Sequence, residues 1–189
     1  MHVPEDRAAL DALLARIAAG DEQAQAEFFP LVYKTLRLVA GRVMGSPRGQ
    51  TLQPTALVHE AWIRLFGADE AAFKDRDHFL RCASLAMRQI LVDQARRRRA
   101  SKRPPPDQRV DLDLAILAFE SEVDVSVLDL DAALSDLAAS DPALAAFVEV
   151  RVFGGCTVEE AAAALNLTPN QGKVAWRTAK AFLRSKLEP

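Results

Sequence analysis

Apolar residues recur every three to four positions through most of the 189-residue chain, and no stretch keeps up a two-residue alternation. The pattern therefore predicts helices rather than strands. A first helix covers about residues 4–19 and stops at Gly20. Asp21 then caps a second, reaching about residue 44, with Phe28, Leu31, Val32, Leu36, Val39 and Val43 on one side. "GSPRGQ" is a loop. "TLQPTALVHEAWIRLF" supplies a third helix over roughly 54–66, introduced by Pro54. After the loop "GADEAAFKDR", a fourth helix runs over about 77–100 and turns Phe79, Ala83, Ala86, Ile90 and Ala95 inward. "SKRPPPDQ" ends it. Three consecutive prolines donate no backbone hydrogen bonds and hold the chain extended, which marks a boundary between two helical units.

The second unit spans 128–187, and "GGCTVEEAAAALNLTPNQGKVAWRTAKAFLRSKL" is its most informative part. Thr157 with Glu160 forms a capping box, and Thr168 with Pro169 and Gln171 forms a second helix start. A helix of about eight residues, the turn "LNL" and a longer helix have the layout of a helix-turn-helix. On the longer helix Lys173, Arg177, Lys180 and Arg184 share one face, with Trp176, Ala179 and Leu183 turned inward beside it. The basic stripe alone suits a solvated face equally well. Together with the two caps and the short turn, it suits a helix that enters a DNA groove.

Composition agrees with an all-α class: half of the residues are hydrophobic and only 8 are glycine. The expected organisation is a four-helix unit over 1–100, a Pro-rich then acidic linker over 101–127, and a helix-turn-helix unit over 128–189. "LDLAILAFESEV" within the linker reads either as a short helix or as a segment that becomes ordered on a partner. No apolar run approaches the roughly 18 residues of a membrane span, and "MHVPEDRAALDALL" lacks the features of a signal peptide. A cytoplasmic protein without a membrane partner is expected. Cys82 and Cys156 have neither CxxC spacing nor histidine partners, and read as reduced structural residues.

Charge changes the picture more. The net charge of -2 conceals a division: residues 104–150 hold eleven acids against one base, while the remainder holds 23 bases against 15 acids. Two basic ends flank an acidic middle, and such blocks bear on partners more than the sum does. Between Arg88 and Arg103 seven bases accompany a single acid, Asp93. The four arginines 96–99 circle their helix, so they are solvated, complement the helix dipole or meet a polyanion. No HExxH, no GxxxxGK[ST] and no nucleophile with an evident base is present. No enzyme activity, cofactor or metal is expected.

Taken in order, "ALVHEAWIRLF", "HFLRCASLAMRQILVDQARRRR", the proline-broken acidic linker, and "TVEEAAAALNLTP" with its basic helix resemble the extracytoplasmic-function sigma factors of bacterial RNA polymerase. The likeness covers essentially the whole chain and is closest to the branch carrying "TLQPTALVHEA". It implies that the first unit binds core RNA polymerase and the promoter -10 element, and that the second binds the -35 element. By position, Leu57, Val58, His59, Glu60, Ile63 and Arg64 match the core-binding helix. The loop 67–76 matches the segment that captures a flipped -10 base. Gln89, Asp93, Arg96, Arg97 and Arg98 match the -10-reading helix, and Asn170, Gln171, Lys173, Val174, Arg177 and Lys180 the -35 recognition helix. Two positions depart from that pattern. Gly172 stands where relatives usually carry a branched apolar residue, at a cost of roughly 1 kcal/mol of helix stability, and Val174 stands where a basic residue is common.

Most sigma factors of this type place acids just ahead of the core-binding helix. Here those positions are Gln53, Pro54, Thr55 and Ala56. A phosphate on Thr51 or Thr55 would restore the charge, and the branch is associated with control by a Ser/Thr protein kinase. Thr55 fits the register better, Thr51 is easier for a kinase to reach, and a helix-capping hydroxyl is the plainer role for either. The acidic middle is a second candidate for regulation, lying against the basic ends until polymerase separates them. A stand-alone helix-turn-helix regulator explains the C-terminal half only. A sigma-like decoy that never initiates is a third reading.

Overall fold

The computed structural model describes residues 7–43, 53–67, 73–100 and 126–187, and its regular elements there are all helices. They are α1 (Arg7–Ala18), α2 (Glu22–Val43), α3 (Pro54–Phe66), α4 (Arg76–Ala100), α5 (Val127–Ser140), α6 (Pro142–Val152), α7 (Val158–Ala164) and α8 (Pro169–Leu187). Thr51, much of the loop after α3 and the acidic stretch 107–124 fall outside the described residues.

The helix starts follow local chemistry. Asp21 accepts from the amides of Gln23 and Ala24 at the head of α2, as its position predicts. Its carboxyl is held below the usual carboxylate range, first by the Arg16 side chain and then by those amides. α4 begins at Arg76, close to its expected start, with Asp75 at the cap accepting from the His78 amide at 2.7 Å. Asp77 instead pairs with Arg7 of α1. Ser126 with Asp129, Thr157 with Glu160, and Thr168 with Gln171 each form reciprocal caps.

Seven of the chain's twelve aromatic residues gather where α2, α3 and α4 meet. Phe28 is fully buried and packs edge-on to Phe79 at 5.0 Å, with Trp62 and Phe66 beyond it. Phe73, just past the loop, closes the cluster against Phe66 and Phe79. Offset and edge-to-face pairs of this kind add to the burial of large rings, so they lock α3 onto its neighbours.

The two halves are not separate bodies. α4 contacts α3 on one side and α5, α6 and α7 on the other. Leu80 of α4 lies in one apolar cluster with Phe147, Val150, Cys156 and the alanines of α7. The turn after α6 allows this approach. Gly155 has φ +62°, a side chain there would strike Val39 of α2, and one at Gly154 would stand 2.6 Å from the Ser84 hydroxyl of α4.

The helix-turn-helix is built for close contact. α7 ends with Asn166 at φ 56°, and the amides of Leu167 and Asn166 bond back to the carbonyls of Ala162 and Ala163. This is a Schellman ending, and asparagine tolerates its left-handed position. The two leucines of "LNL" pack onto the cluster beneath. Gly172 is buried, and a Cβ there would lie 2.6 Å from the Ala162 Cβ. The departure at Gly172 thus has a physical reason: α8 crosses α7 too closely for any side chain.

Replacing Gly172 with alanine gains about 1 kcal/mol of helix propensity but overpacks a backbone-anchored contact, which costs roughly 1–3 kcal/mol. The expected net result is destabilisation, read as a midpoint of thermal unfolding about 2–4 °C lower by circular dichroism. A higher midpoint would show that α7 and α8 separate freely. Burial, reinforced by Glu160, pushes the Cys156 thiol up to about 12, so it stays neutral and unreactive well above pH 8. Iodoacetamide at pH 8 is expected to spare Cys156 in the folded protein and to modify it in denaturant, as mass spectrometry would read.

Candidate polymerase and nucleic-acid interface

The face of α3 divides cleanly. Leu57 and Val58 are both 0% exposed and, with Ala61, point into the core, so they shape the helix's seat and present nothing to a partner. His59 is exposed and leans on the rings of Phe29 and Tyr33 at 5.8 and 5.7 Å. Ile63 is 68% exposed, the most open large apolar side chain among the described residues. Arg64 is exposed beside it, and Glu60 is half-buried. An apolar residue left in water between a histidine and an arginine has the character of a contact surface.

The start of α3 is chemically open. Gln53 occupies the cap but makes no side-chain capping bond, Pro54 follows it, and the first turn holds no acid. Thr55 is exposed and is the second helical residue rather than the cap. A capping role therefore does not account for it. The first intrahelical bond runs from the Leu57 amide to the Gln53 carbonyl, which leaves the amides of Thr55 and Ala56 at the positive end of the helix dipole.

Arg64 also reaches across to α4. It donates to Asp93 at 2.9 Å and to Gln89 at 3.4 Å. One side chain of the expected core-binding set thus holds two of the expected -10-reading set. Arg96 and Arg97 are exposed on the same helix, and the Arg98 side chain lies outside the described residues. Of the loop 67–76, Phe73 is buried in the aromatic cluster and Lys74 is exposed.

On α8, Asn170, Gln171, Lys173 and Arg177 are exposed along one face, with Val174 45% exposed among them. Gln171 spends its side-chain oxygen on the Thr168 amide at 2.8 Å. Lys180 sits over the Trp176 ring at 5.9 Å, and Arg151 of α6 at 5.3 Å. Ala179 and Leu183 are fully buried, which fastens the helix by its back and leaves its basic side outward.

Arg88, grouped in the sequence with the basic run, behaves differently. Its side chain is only 10% exposed and pairs with Asp131 of α5 at 2.8 Å and with Glu149 of α6. The signal for this was an arginine one turn from Ser84 and amid Leu80, Met87 and Leu91, where an apolar residue would be expected. Nothing in the spacing says which of the eleven acids of the middle would answer it. Among the described residues no group of three or more histidines, cysteines or acids could hold a metal ion, and no helix is long and apolar enough to cross a membrane.

A family model described as ECF sigma factor matches residues 8–189. No curated protein and no solved structure matches the chain. The match runs through the aromatic-locked α3, the arginine-rich α4 and the helix-turn-helix of α7 and α8, the elements that carry the exposed polar and basic faces. With a match spanning nearly its full length, the chain belongs to the ECF sigma factor family, alternative sigma factors that bind core RNA polymerase and promoter DNA at transcription initiation.

Proposed function

We propose that this sigma factor docks on core RNA polymerase through the exposed side of α3, and that a phosphate on Thr55 sets the strength of that docking. The observation that carries the reading is the start of α3: an exposed threonine at its second position, no acid in its first turn, and an uncapped helix end. A phosphate there adds about -1.5 to -2 charges where the helix dipole favours an anion. His59, Ile63 and Arg64 make the contact, with Glu60 at the edge, while Leu57 and Val58 hold the helix in register from inside. The writing enzyme is a Ser/Thr protein kinase of the same cell. Thr51 is the alternative acceptor, and comparison of the two positions decides between them.

In this reading residues 1–100 form the unit for core polymerase and the -10 element, 101–127 the linker, and 128–189 the unit for the -35 element. Gln89, Asp93, Arg96, Arg97 and Arg98 read the -10 element. Asn170, Gln171, Lys173, Val174, Arg177 and Lys180 read the -35 element, with Val174 offering a methyl contact in place of a charge. Arg64 gives the two tasks of the first unit a common part, because any contact that draws it outward releases Asp93 and Gln89.

The test is binding of labelled core polymerase to the wild type and to Thr55→Glu, Thr55→Ala, Thr51→Glu and Thr51→Ala. Thr55→Glu is expected to bind about 5-fold tighter than Thr55→Ala, the worth of roughly 1 kcal/mol for one added charge pair with a basic group of the partner. Equal binding by the Glu and Ala forms at both positions would end the phosphate reading. Transcription in vitro with the same proteins separates an initiating factor from a stand-alone DNA-binding regulator or a decoy.

A further inference from the structure

A histidine closes the turn that leads into α4. With Asp75 at the cap, His78 is the third helical residue, the position from which a glutamate or glutamine side chain ordinarily reaches back to complete a capping box. His78 does so with an imidazole. Its amide donates to the Asp75 carboxylate at 2.7 Å, and its Nδ1 accepts from the Lys74 amide at 3.2 Å, one residue further back than the usual box reaches.

The same turn is fastened from other sides. The Arg76 amide donates to Asp11 of α1 at 2.7 Å, and Asp77 pairs with Arg7 of that helix. The Phe73 ring lies 6.1 Å from the His78 ring and is anchored inside by Phe66 of α3 and by Phe79. Lys74, between these fixed points, is exposed. One hydrogen bond, from its amide to His78, holds the backbone at the outermost residue of the turn.

A capping carboxylate and an imidazole differ in one respect. Imidazole side chains change charge between about pH 5 and 8, and once protonated both ring nitrogens are donors. A protonated His78 therefore cannot accept from the Lys74 amide. Among the charged groups around it, Asp77 is taken up by Arg7 and Arg76, Asp11 by the Arg76 amide, and Arg81 by the Ala164 carbonyl. Asp75, next to Lys74, is the carboxylate left beside a protonated ring. Proton uptake thus removes the bond to Lys74 and supplies no substitute for it.

We propose that His78 is a positioning residue for contact with the unpaired -10 strand: its neutral ring holds the Lys74 backbone at the entrance to α4, and proton uptake releases it. A segment fixed beforehand in its bound position avoids the ordering cost of association. The proposal rests on the reading that the segment ahead of α4 meets the -10 strand, and it names the side chain that fixes the segment there.

The test uses the complex of the full chain with core RNA polymerase. The probe is the single strand that this complex selects from a random pool of about 12 nucleotides, a length within the site sizes of single-strand binders. Its affinity is measured by fluorescence anisotropy at about pH 8 and about pH 5.5, towards the two ends of the imidazole range. The wild type is expected to lose at least about 5-fold at the lower pH, within the range that one hydrogen bond spans. His78→Asn offers an oxygen in place of Nδ1 that does not titrate, so it should stay within about 2-fold of the wild type at pH 8 and lose no more than about 2-fold below it. His78→Phe keeps a ring against Phe73 but no acceptor, and should bind at least about 5-fold more weakly than the wild type at pH 8, with no further loss at the lower pH. Equal pH profiles for the wild type and His78→Asn, or wild-type affinity in His78→Phe, would overturn the role of His78. Failure of the complex to select any strand from the pool would instead refute the -10 reading on which that role rests.

Discussion

Burial of α4 on two sides is the constraint from which the rest of the structure follows. One side, through Phe79, Ala83, Met87 and Ile90, closes the aromatic core that seats α3. The other, through Leu80, Ser84 and Arg88, receives α6, α7 and the glycine turn between them. A helix used in this way buries polar groups beside the apolar ones, Asp77, Ser84 and Arg88 among them. Arg88 is answered by two carboxylates, Asp131 and Glu149. All three are satisfied where the halves meet.

The packing of α3 leaves one side of the helix open. Leu57, Val58 and Ala61 anchor α3 from beneath, and the ring cluster of Phe28, Trp62, Phe66 and Phe73 fixes its angle. Because those residues carry the packing energy, Ile63 is free to remain in water. At the open end of the same helix Thr55 is exposed and the first turn holds no acid.

The C-terminal half is fixed by local caps and a close helix crossing. Reciprocal caps at Thr157 and Thr168, a left-handed Asn166 and the crossing at Gly172 hold α8 against α7 at the closest distance the backbones permit. Such a pair offers its basic face as a fixed object, which suits readout by shape and charge. The cation–ring contact of Arg151 on Trp176 ties α8 back to α6, and Lys180 covers the same ring from within α8.

The first four helices, the helix-turn-helix, the caps at Asp21, Thr157 and Thr168 and the basic stripe of α8 were legible in the sequence, whereas α5 and α6 were not called separately. Hydrophobic period, proline position and Ser/Thr–Glu spacing are local signals, and they act over one or two turns of a helix. α3 matches its expected bounds, and α4 starts within one residue of its expected start, with Asp75 as its cap. Three features came only from tertiary structure. Leu57 and Val58 turned inward although their motif marks a binding helix, because the rings of α2 and α4 select which side of an amphipathic helix is covered. Gly172 was a weak helix residue until α7 was seen to need its missing side chain. Arg88 was one charge among many until Asp131 and Glu149, 43 and 61 residues away, were placed against it. Which acid answers which base depends on how two helices cross. That crossing is set by the packing of the whole chain and by no short-range pattern.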